Sequence, residues 1–211
     1  EQAWRKLEDF NKRFPGDMQK SILQFAIQGK LVEQRPEEGT GEELYRQIQA
    51  EKLRLIKAGT IKKEKPLPEI AEEEKPFEIP ESWKWTRIGC IATVKSSKRV
   101  FENDYVSEGI PFFRSKEIGD LYRGERIKTE LFITQKHFQQ LKDEYGVPQK
   151  DDILITSVGT IGNTWICDGR EFYYKDGNIT QICANDYLFS KYVELFLHSP
   201  QFESQALSTV A

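Results

Sequence analysis

The residue types that most often perform catalysis or bind metals are sparse in this 211-residue sequence. It contains two histidines, His137 and His198, and each lies on a predicted surface helix without a cysteine or carboxylate at ligand spacing. The three cysteines are too scattered for a disulfide framework or a paired zinc motif, and we expect them to be reduced and mostly buried: Cys90, Cys167 and Cys183. The sequence therefore predicts no metal site.

Two short motifs are similar to parts of catalytic or phosphate-binding sites. Gly159-Thr160-Ile161-Gly162 lacks the lysine and the full spacing of a phosphate-binding loop. A GxxG turn can instead clamp a nucleic-acid backbone, and a plain strand-to-strand turn is the other alternative. Asp151-Asp152 could belong to a nuclease, but no Glu-x-Lys follows on a neighbouring strand, so a turn before a strand is the simpler interpretation. We therefore assign no catalytic residue.

Polar chemistry is concentrated in the middle of the chain. Residues 84–128 contain ten basic and six acidic side chains, although the whole chain has a net charge of −3. Basic and hydroxyl side chains can neutralise phosphates, and arginine or lysine can contact guanine edges. A solvated surface is the alternative. We assign two basic segments to DNA binding: Lys95, Ser96, Ser97, Lys98, Arg99, Arg114, Ser115 and Lys116.

Two later segments are rich in small polar side chains and glycine. Glycine lets a backbone approach another polymer closely, and asparagine or glutamine can pair with the edge of adenine. These segments add seven candidates for DNA contact: Thr156, Ser157, Thr160, Asn163, Asn178, Thr180 and Gln181. Whether they share a face with the basic segments depends on the fold.

Residues 1–60 are predicted to form a helical arm. Apolar residues recur at helical spacing, and Pro15-Gly16 is expected to separate the first two helices. Thr40 and Glu43 predict the start of a third helix through a capping box, and Gly59 is expected to follow its last turn. The apolar stripe of this helix is narrow, and we expect it to bind a partner: Leu44, Ile48 and Leu55.

The rest of the chain is richer in aromatic residues and in strand-forming residues. Prolines and acidic residues predict a linker over 61–80. A helix is expected over 135–143 with Thr134 as its cap, another capped by Asn185 or Asp186, and a last one from Ser199-Pro200. Strands are expected over 85–94, 110–115, 152–157, 163–167, 171–175 and 178–184. This order predicts an α+β fold: an N-terminal helical arm, then a mixed, β-rich domain closed by C-terminal helices.

Composition excludes several other classes. The sequence has no run of about 18 apolar residues, as a transmembrane helix needs, and no signal-peptide pattern at its N-terminus. We therefore expect a cytoplasmic protein. Because the chain begins at Glu1 and ends inside a helical-looking stretch, we also expect a fragment of a longer protein.

Several segments resemble the specificity subunits of type I restriction–modification systems. In the arm and linker, the resemblance is carried by AIQGKLV from Ala26, AEKLRLIKAG from Ala50 and IKKEKPLPEI from Ile61. KPFEIPESWKWTRIG, which starts at Lys75, is similar to the entry to the first target recognition domain. Three further segments of this chain resemble the recurring strand segments of that domain: GIPFFRSKEI, DDILITSVGTIGN and GNITQI.

The resemblance implies a target recognition domain over 81–199 and the truncated start of a spacer helix over 200–211. It implies a non-catalytic subunit in which two such domains each read one half of a split DNA sequence. This chain matches the N-terminal half, so it would specify a complete target only with the missing half or with a second copy of itself. The implied partners are double-stranded DNA, modification (methyltransferase) subunits and, through the complex, restriction subunits. S-adenosylmethionine, ATP and Mg²⁺ are expected only on those partner subunits.

Our leading hypothesis is therefore sequence-specific recognition of one half of a bipartite DNA target, without catalysis. A protein-interaction or assembly module that does not read DNA directly is the alternative. An isolated enzyme is a third reading, which the scarcity of catalytic side chains disfavours.

Overall fold

The structure is a computed structural model that describes residues 2–61, 63 and 65–208. The predicted arm and linker include Glu1, Lys62 and Glu64, and the predicted spacer helix includes residues 209–211; these residues lie outside the described part. The chain forms two compact units. One comprises residues 1–86 and 198–211, and the other residues 87–197. The domain boundaries expected from the sequence stay predictions.

The first unit is helical and consists of α1 (Gln2–Ile27), α2 (Gly41–Lys57) and α7 (Pro200–Ser208). Pro15 lies inside α1, so the predicted break at Pro15-Gly16 is wrong. Proline lacks the N–H that would bond to the carbonyl of Asn11, but Asn11 is exposed and water can reach that carbonyl. The fixed φ of proline also suits a helix, so the chain continues through it.

The start of α2 is as the sequence predicts. Thr40 accepts a hydrogen bond from the backbone N–H of Glu43, and the Glu43 carboxylate accepts one from the N–H of Thr40. Of the three residues expected to bind a partner, Ile48 is buried, Leu55 is half-buried and Leu44 is exposed. The predicted stripe is thus partly used within the unit, and its partner role stays a prediction.

The second unit contains two four-stranded sheets. The first sheet is antiparallel throughout, in the order β1 (Val94–Lys95), β8 (Ile179–Ile182), β5 (Ile153–Thr156) and β6 (Thr164–Ile166). The second has the order β2 (Tyr105–Val106), β4 (Phe132–Ile133), β3 (Ile110–Phe113) and β7 (Tyr173–Tyr174). Its β3–β7 pair is parallel. Four helices complete the unit: α3 (Ile88–Ile91), α4 (Ser115–Tyr122), α5 (Gln135–Tyr145) and α6 (Ser190–Leu197). The predicted α+β class is confirmed.

Several elements differ from their prediction. The expected strand over 85–94 is mostly wrong, because the N–H groups of Cys90 and Ala92 bond locally to preceding carbonyls and form α3. The strand expected over 110–115 ends at Phe113, and α4 begins at Ser115. Two-residue strands such as β2 and β4 are too short to show an alternating pattern, and neither was predicted.

The predicted helix caps also had different outcomes. Thr134 does cap α5, by accepting a hydrogen bond from the N–H of His137. Neither Asn185 nor Asp186 caps α6, which begins later. The Asn185 side chain instead accepts from the N–H of Tyr187, which closes a local turn. Pro200 stands at the first position of α7, as predicted.

The β3–β7 pair lies between two buried clusters. Phe112 and Tyr173 belong to one cluster, while Phe113 and Tyr174 belong to the other. Successive side chains of a strand point to opposite faces, so this pair contributes to both clusters at once. Among the described helices, none is both long and apolar enough to span a membrane.

The central position of β3 makes a prediction about stability. Phe112→Ala should lower the free energy of unfolding by about 3–5 kcal/mol, because truncating a fully buried phenylalanine leaves a cavity. Phe101→Ala is the matched control, since Phe101 is 65% exposed. Urea unfolding followed by tryptophan fluorescence measures both. Equal losses in the two variants would contradict the assigned core.

Candidate nucleic-acid interface

The predicted DNA-binding segments meet at one end of the antiparallel sheet. In this sheet, the end of β1 lies beside the start of β8. The end of β5 lies beside the starts of both β8 and β6. The parallel pair delivers a fourth segment, because the N–H of Lys175 bonds to the carbonyl of Phe113 just before Arg114. We call residues 95–99, 114–116, 157–163 and 175–180 the polar end.

The serines of the first segment fix the loops to one another. The Ser97 hydroxyl donates to the carbonyl of Tyr174 at 2.7 Å. The Ser96 hydroxyl donates to the carbonyl of Ile179 at 3.3 Å and accepts from the N–H of Gly177 at 3.1 Å. Both hydroxyls therefore organise the polar end from within.

Two cations of the same segment, Lys98 and Arg99, are exposed, and Lys95 is half-buried. The Lys98 ammonium is 5.3 Å from the centroid of the Tyr145 ring, and its backbone N–H bonds to the hydroxyl of Tyr173 at 2.9 Å. The Lys95 ammonium donates to the carbonyl of Tyr145 at 3.3 Å. The Arg99 guanidinium is exposed and pairs with Asp176 at 2.9 Å. A cation held by an exposed contact, as Lys98 is, can exchange that contact for a phosphate at modest cost, whereas the Asp176 partner of Arg99 is only 13% exposed.

Arg114 is held by a buried carboxylate. Glu117 is 1% exposed, and it accepts from the backbone N–H of Arg114 at 2.8 Å and from its Nη2 at 2.8 Å. The same Nη2 donates to Glu130 at 2.9 Å, and the Lys116 ammonium reaches the other oxygen of Glu130 at 3.1 Å. The hydrogen bonds that Arg114 donates, first to Glu117 and then to Glu130, raise its pKa above the ordinary value. Hydrogen bonds from Arg114 and then Lys116 lower the pKa of Glu130.

The turn between β5 and β6 is built around the hydroxyl of Thr156. This hydroxyl donates to the carbonyl of Thr160 at 2.5 Å and accepts from the N–H of Asn163 at 3.0 Å. Gly159 and Gly162 have φ values of +83° and +93°, which other residues rarely adopt. Residues 157–161 are exposed, so the turn presents its tip to solvent. Ser157 and Thr180 join neighbouring strands through their hydroxyls at 2.8 Å.

Three predicted DNA contacts lie in the interior. Gln181 is 1% exposed; it donates to Asp152 at 2.6 Å and accepts from the hydroxyl of Tyr174 at 2.9 Å. The side chain of Thr156 is likewise buried within its turn. The Ser115 hydroxyl oxygen is buried and makes no hydrogen bond within the described part of the chain. In this fold the three residues support the polar end, and none presents its polar atoms to a ligand.

The remaining predicted residues are at least partly accessible. Thr160 is exposed, and Asn163, Asn178 and Thr180 are half-buried. These four side chains and Ser157 lie among the cations, as a mixed polar and charged surface requires for contacts to both phosphates and base edges.

Sequence reasoning missed four residues that organise this site: Glu117, Glu130, Asp152 and Lys175. Asp152 was assigned only to a turn, yet its carboxylate accepts from Gln149 N–H, Gln181 and Ala184 N–H at 2.6–2.8 Å. The local signal for Glu117 was its position three residues after Arg114, which is the spacing of a helix-capping glutamate. Glu130 is sixteen residues from Arg114, and no short-range pattern links them.

The described residues include no group of three histidine, cysteine or acidic side chains placed to hold a metal ion. The three cysteines form no disulfide in the described part of the chain; Cys167 is buried, and Cys90 and Cys183 are half-buried. Burial raises the pKa of Cys183 to about 11, which keeps its thiol protonated and poorly nucleophilic at neutral pH.

The opposite end of the antiparallel sheet has a different character. It has a groove lined by residues that precede β5, end β6 or follow β8, among them Lys150, Asp186 and Lys191. Lys150 and Asp186 are separated from the polar end by the length of the strands, whereas Lys191 pairs with Glu194, which accepts a hydrogen bond from Thr164 beside the polar end. Lys150 and Asp186 provide charged positions for comparison with those of the polar end.

The geometry defines a mixed α+β domain that presents cations and small polar groups from several strand ends. A family model for the type I restriction modification DNA specificity domain matches residues 80–209. The match covers more than half of the chain, so the chain belongs to this family. The resemblance seen in its sequence is confirmed.

Two curated proteins and one solved structure are similar to this chain. The specificity subunit of the type I restriction enzyme EcoAI from Escherichia coli is 43% identical over 101 residues, covering 48% of this chain and 17% of that protein. The putative specificity subunit S.HindORF215P of Haemophilus influenzae is 36% identical over 125 residues, covering 58% and 31%. The HsdS subunit from Thermoanaerobacter tengcongensis has a TM-score of 0.48 at 17% identity, covering 78% of this chain and 37% of that one. The chain thus spans less than a third of the length of these curated relatives.

The position of Gln181 makes a second prediction. Gln181→Ala should lower the free energy of unfolding by about 1–3 kcal/mol, because it removes one hydrogen bond of buried Asp152 and the acceptor of the buried Tyr174 hydroxyl. Asn178→Ala, on the same strand entry, is the control and should change stability by less than about 0.5 kcal/mol. Urea unfolding measures both. A Gln181 variant with unchanged stability would contradict its interior role.

Proposed function

We propose that this chain reads one half of a split DNA target as a non-catalytic specificity subunit of a type I restriction–modification complex. The observation that supports this proposal is that cationic and small polar segments from both sheets converge at one end of the antiparallel sheet. A surface of that kind can grip phosphates with its cations and read base edges with its amides and hydroxyls.

The accessible residues divide by chemistry into two groups. The cations fix position on the backbone: Lys95, Lys98, Arg99, Arg114, Lys116 and Lys175. The small polar side chains are the candidates for base contact: Ser157, Thr160, Asn163, Asn178 and Thr180. Ser96, Ser97, Ser115, Thr156 and Gln181 act through the shape of the loops, since their side chains are engaged with the protein or buried.

The proposal extends to the complex in which the chain would work. The partners are double-stranded DNA, modification subunits and, through them, restriction subunits. S-adenosylmethionine, ATP and Mg²⁺ belong to those partners, and the complex is cytoplasmic. A complete bipartite target requires a second recognition domain, either from the remainder of the subunit or from a second copy of this chain.

DNA binding by the polar end has a defined salt dependence. Lys98→Ala should weaken binding to duplex DNA and reduce the slope of log K against log salt concentration by about 0.9, the value for one lost phosphate contact. Lys150→Ala removes the same charge from the opposite end of the antiparallel sheet and should leave the slope unchanged. Fluorescence anisotropy titrations between about 50 and 200 mM salt measure the slopes of both variants. Phosphate contacts change the affinity strongly over this range. Equal slopes for Lys98→Ala and the unmodified chain would contradict the assigned face.

A protein-interaction module is the second candidate, and the helical unit supplies the observation for it. Apolar side chains of α1 are exposed and follow one another at three- or four-residue spacing: Phe10, Phe14, Met18, Ile22 and Phe25. An exposed apolar row of this length is typical of a surface that binds another helix. We therefore propose that the helical unit docks on the modification subunits or on the spacer helices, while the polar end reads DNA.

The two roles are separable by mutation. Phe14→Asp with Ile22→Asp should abolish co-purification with the modification subunit, because a charge in an apolar interface is left unpaired. DNA binding by the isolated chain should persist. Phe101→Asp, at an exposed phenylalanine of the other unit, should leave co-purification intact. Co-purification that survives the double change would reject the docking role of α1.

A further inference from the structure

Arg114, Lys116, Glu117 and Glu130 form an ion cluster whose two carboxylates differ in kind. Glu117 is 1% exposed and bonds to both the backbone and the guanidinium of Arg114. Glu130 is 50% exposed, and its carboxylate contacts the side chains of Arg114 and Lys116. The cluster therefore combines one interior carboxylate with one at the surface.

The burial of Glu117 makes its pairing permanent. Removing the partner of a buried charge is strongly destabilising, because the charge loses its compensation without regaining water. Glu117 is also the third residue of α4, and its carboxylate caps the start of that helix by accepting a hydrogen bond from the N–H of Arg114. It acts as a positioning residue that holds one edge of the guanidinium in place.

The contacts of Glu130 are of the exchangeable kind. Exposed ion pairs contribute about 0–1 kcal/mol each, since water can replace either partner. Glu130 precedes β4 and lies in neither a helix nor a strand. Its carboxylate can leave the two cations without disrupting any regular element of the fold.

The carboxylate of Glu130 offers the cations what a phosphate would offer them. Oε2 accepts from Arg114 at 2.9 Å and Oε1 accepts from Lys116 at 3.1 Å, so two oxygens of one anion bridge two cations. A backbone phosphate of DNA has the same arrangement of two charged oxygens on one centre, and arginine and lysine are its usual protein partners.

We propose that Arg114 and Lys116 form a binding position for one DNA backbone phosphate, and that the Glu130 carboxylate occupies this position when DNA is absent. The inference rests on the DNA-binding function proposed above. Binding then exchanges one anion for another. Glu130 lowers the affinity for every duplex by the energy of its two contacts, whatever the sequence, because the backbone is the same at each base step.

A cycle of isosteric variants in the full chain tests this exchange. Glu130→Gln should tighten binding to random-sequence duplex DNA by about two- to tenfold at low salt, as expected for two released surface pairs. Lys116→Gln should weaken binding, and by a larger factor in the Glu130→Gln background, where Lys116 no longer gives up a partner to bind DNA. Arg114 is left intact, because its loss would strand the buried Glu117.

The controls separate exchange from general electrostatics. Asp186→Asn removes a carboxylate from the opposite end of the sheet and should leave affinity unchanged. The factor for Glu130→Gln should be the same for duplexes of different sequence, since a phosphate carries no sequence information.

Three results would overturn the inference while leaving DNA binding in place. These are an unchanged or weaker affinity of Glu130→Gln, an equal effect of Lys116→Gln in both backgrounds, or a factor that varies with sequence. An equal gain for Asp186→Asn would have the same consequence. Absence of salt-dependent binding by the unmodified chain would instead overturn the proposed function, and the inference with it.

Discussion

The burial of the parallel β3–β7 pair on both faces is the constraint on which the rest of the mixed unit depends. Phe112 pairs with Tyr173 and Phe113 with Tyr174, and each strand sends one ring into each buried cluster. Neither cluster can be completed without both strands. Because the strands are parallel, their ends coincide, and Arg114 leaves the core beside Lys175. The hydrophobic pairing thus brings together two cations that are 61 residues apart in sequence.

A polar network joins this pair to the antiparallel sheet. The hydroxyl of Tyr174 donates to Gln181 on β8, whose amide donates to Asp152 at the start of β5. Buried polar groups are costly unless they are bonded, so the network favours one relative arrangement of three strands. Strand alternation explains which residues it uses: Gln181 and Thr156 point inward, while Thr180 and Ser157 alternate with them and meet nearer the surface. The assignment of residue types to the polar end by composition could not make that distinction.

The sequence predicts well the helix starts that are determined by local hydrogen bonds. The capping box of Thr40 and Glu43, the cap at Thr134 and the helix start at Pro200 each depend on neighbours within three or four residues. The continuation of α1 through Pro15, the local turn that replaces a strand near Cys90 and the two-residue strands depend on solvent access or distant partners. The same division holds for the site. The basic segments are visible in composition, whereas Glu130 and Asp176 reach their cations across 16 and 77 residues.

The acidic net charge of the chain is consistent with the arrangement of the polar end. Its cations are not a bare positive surface, because Arg99 faces Asp176, and Arg114 and Lys116 share Glu130. Non-specific affinity for DNA comes almost wholly from phosphate contacts, and each paired carboxylate reduces it. Contacts to base edges do not involve these carboxylates, so the discrimination between DNA sequences is unchanged. In the proposed function, internal acidic partners therefore increase the share of binding free energy that depends on sequence, as specificity against a large excess of other DNA requires.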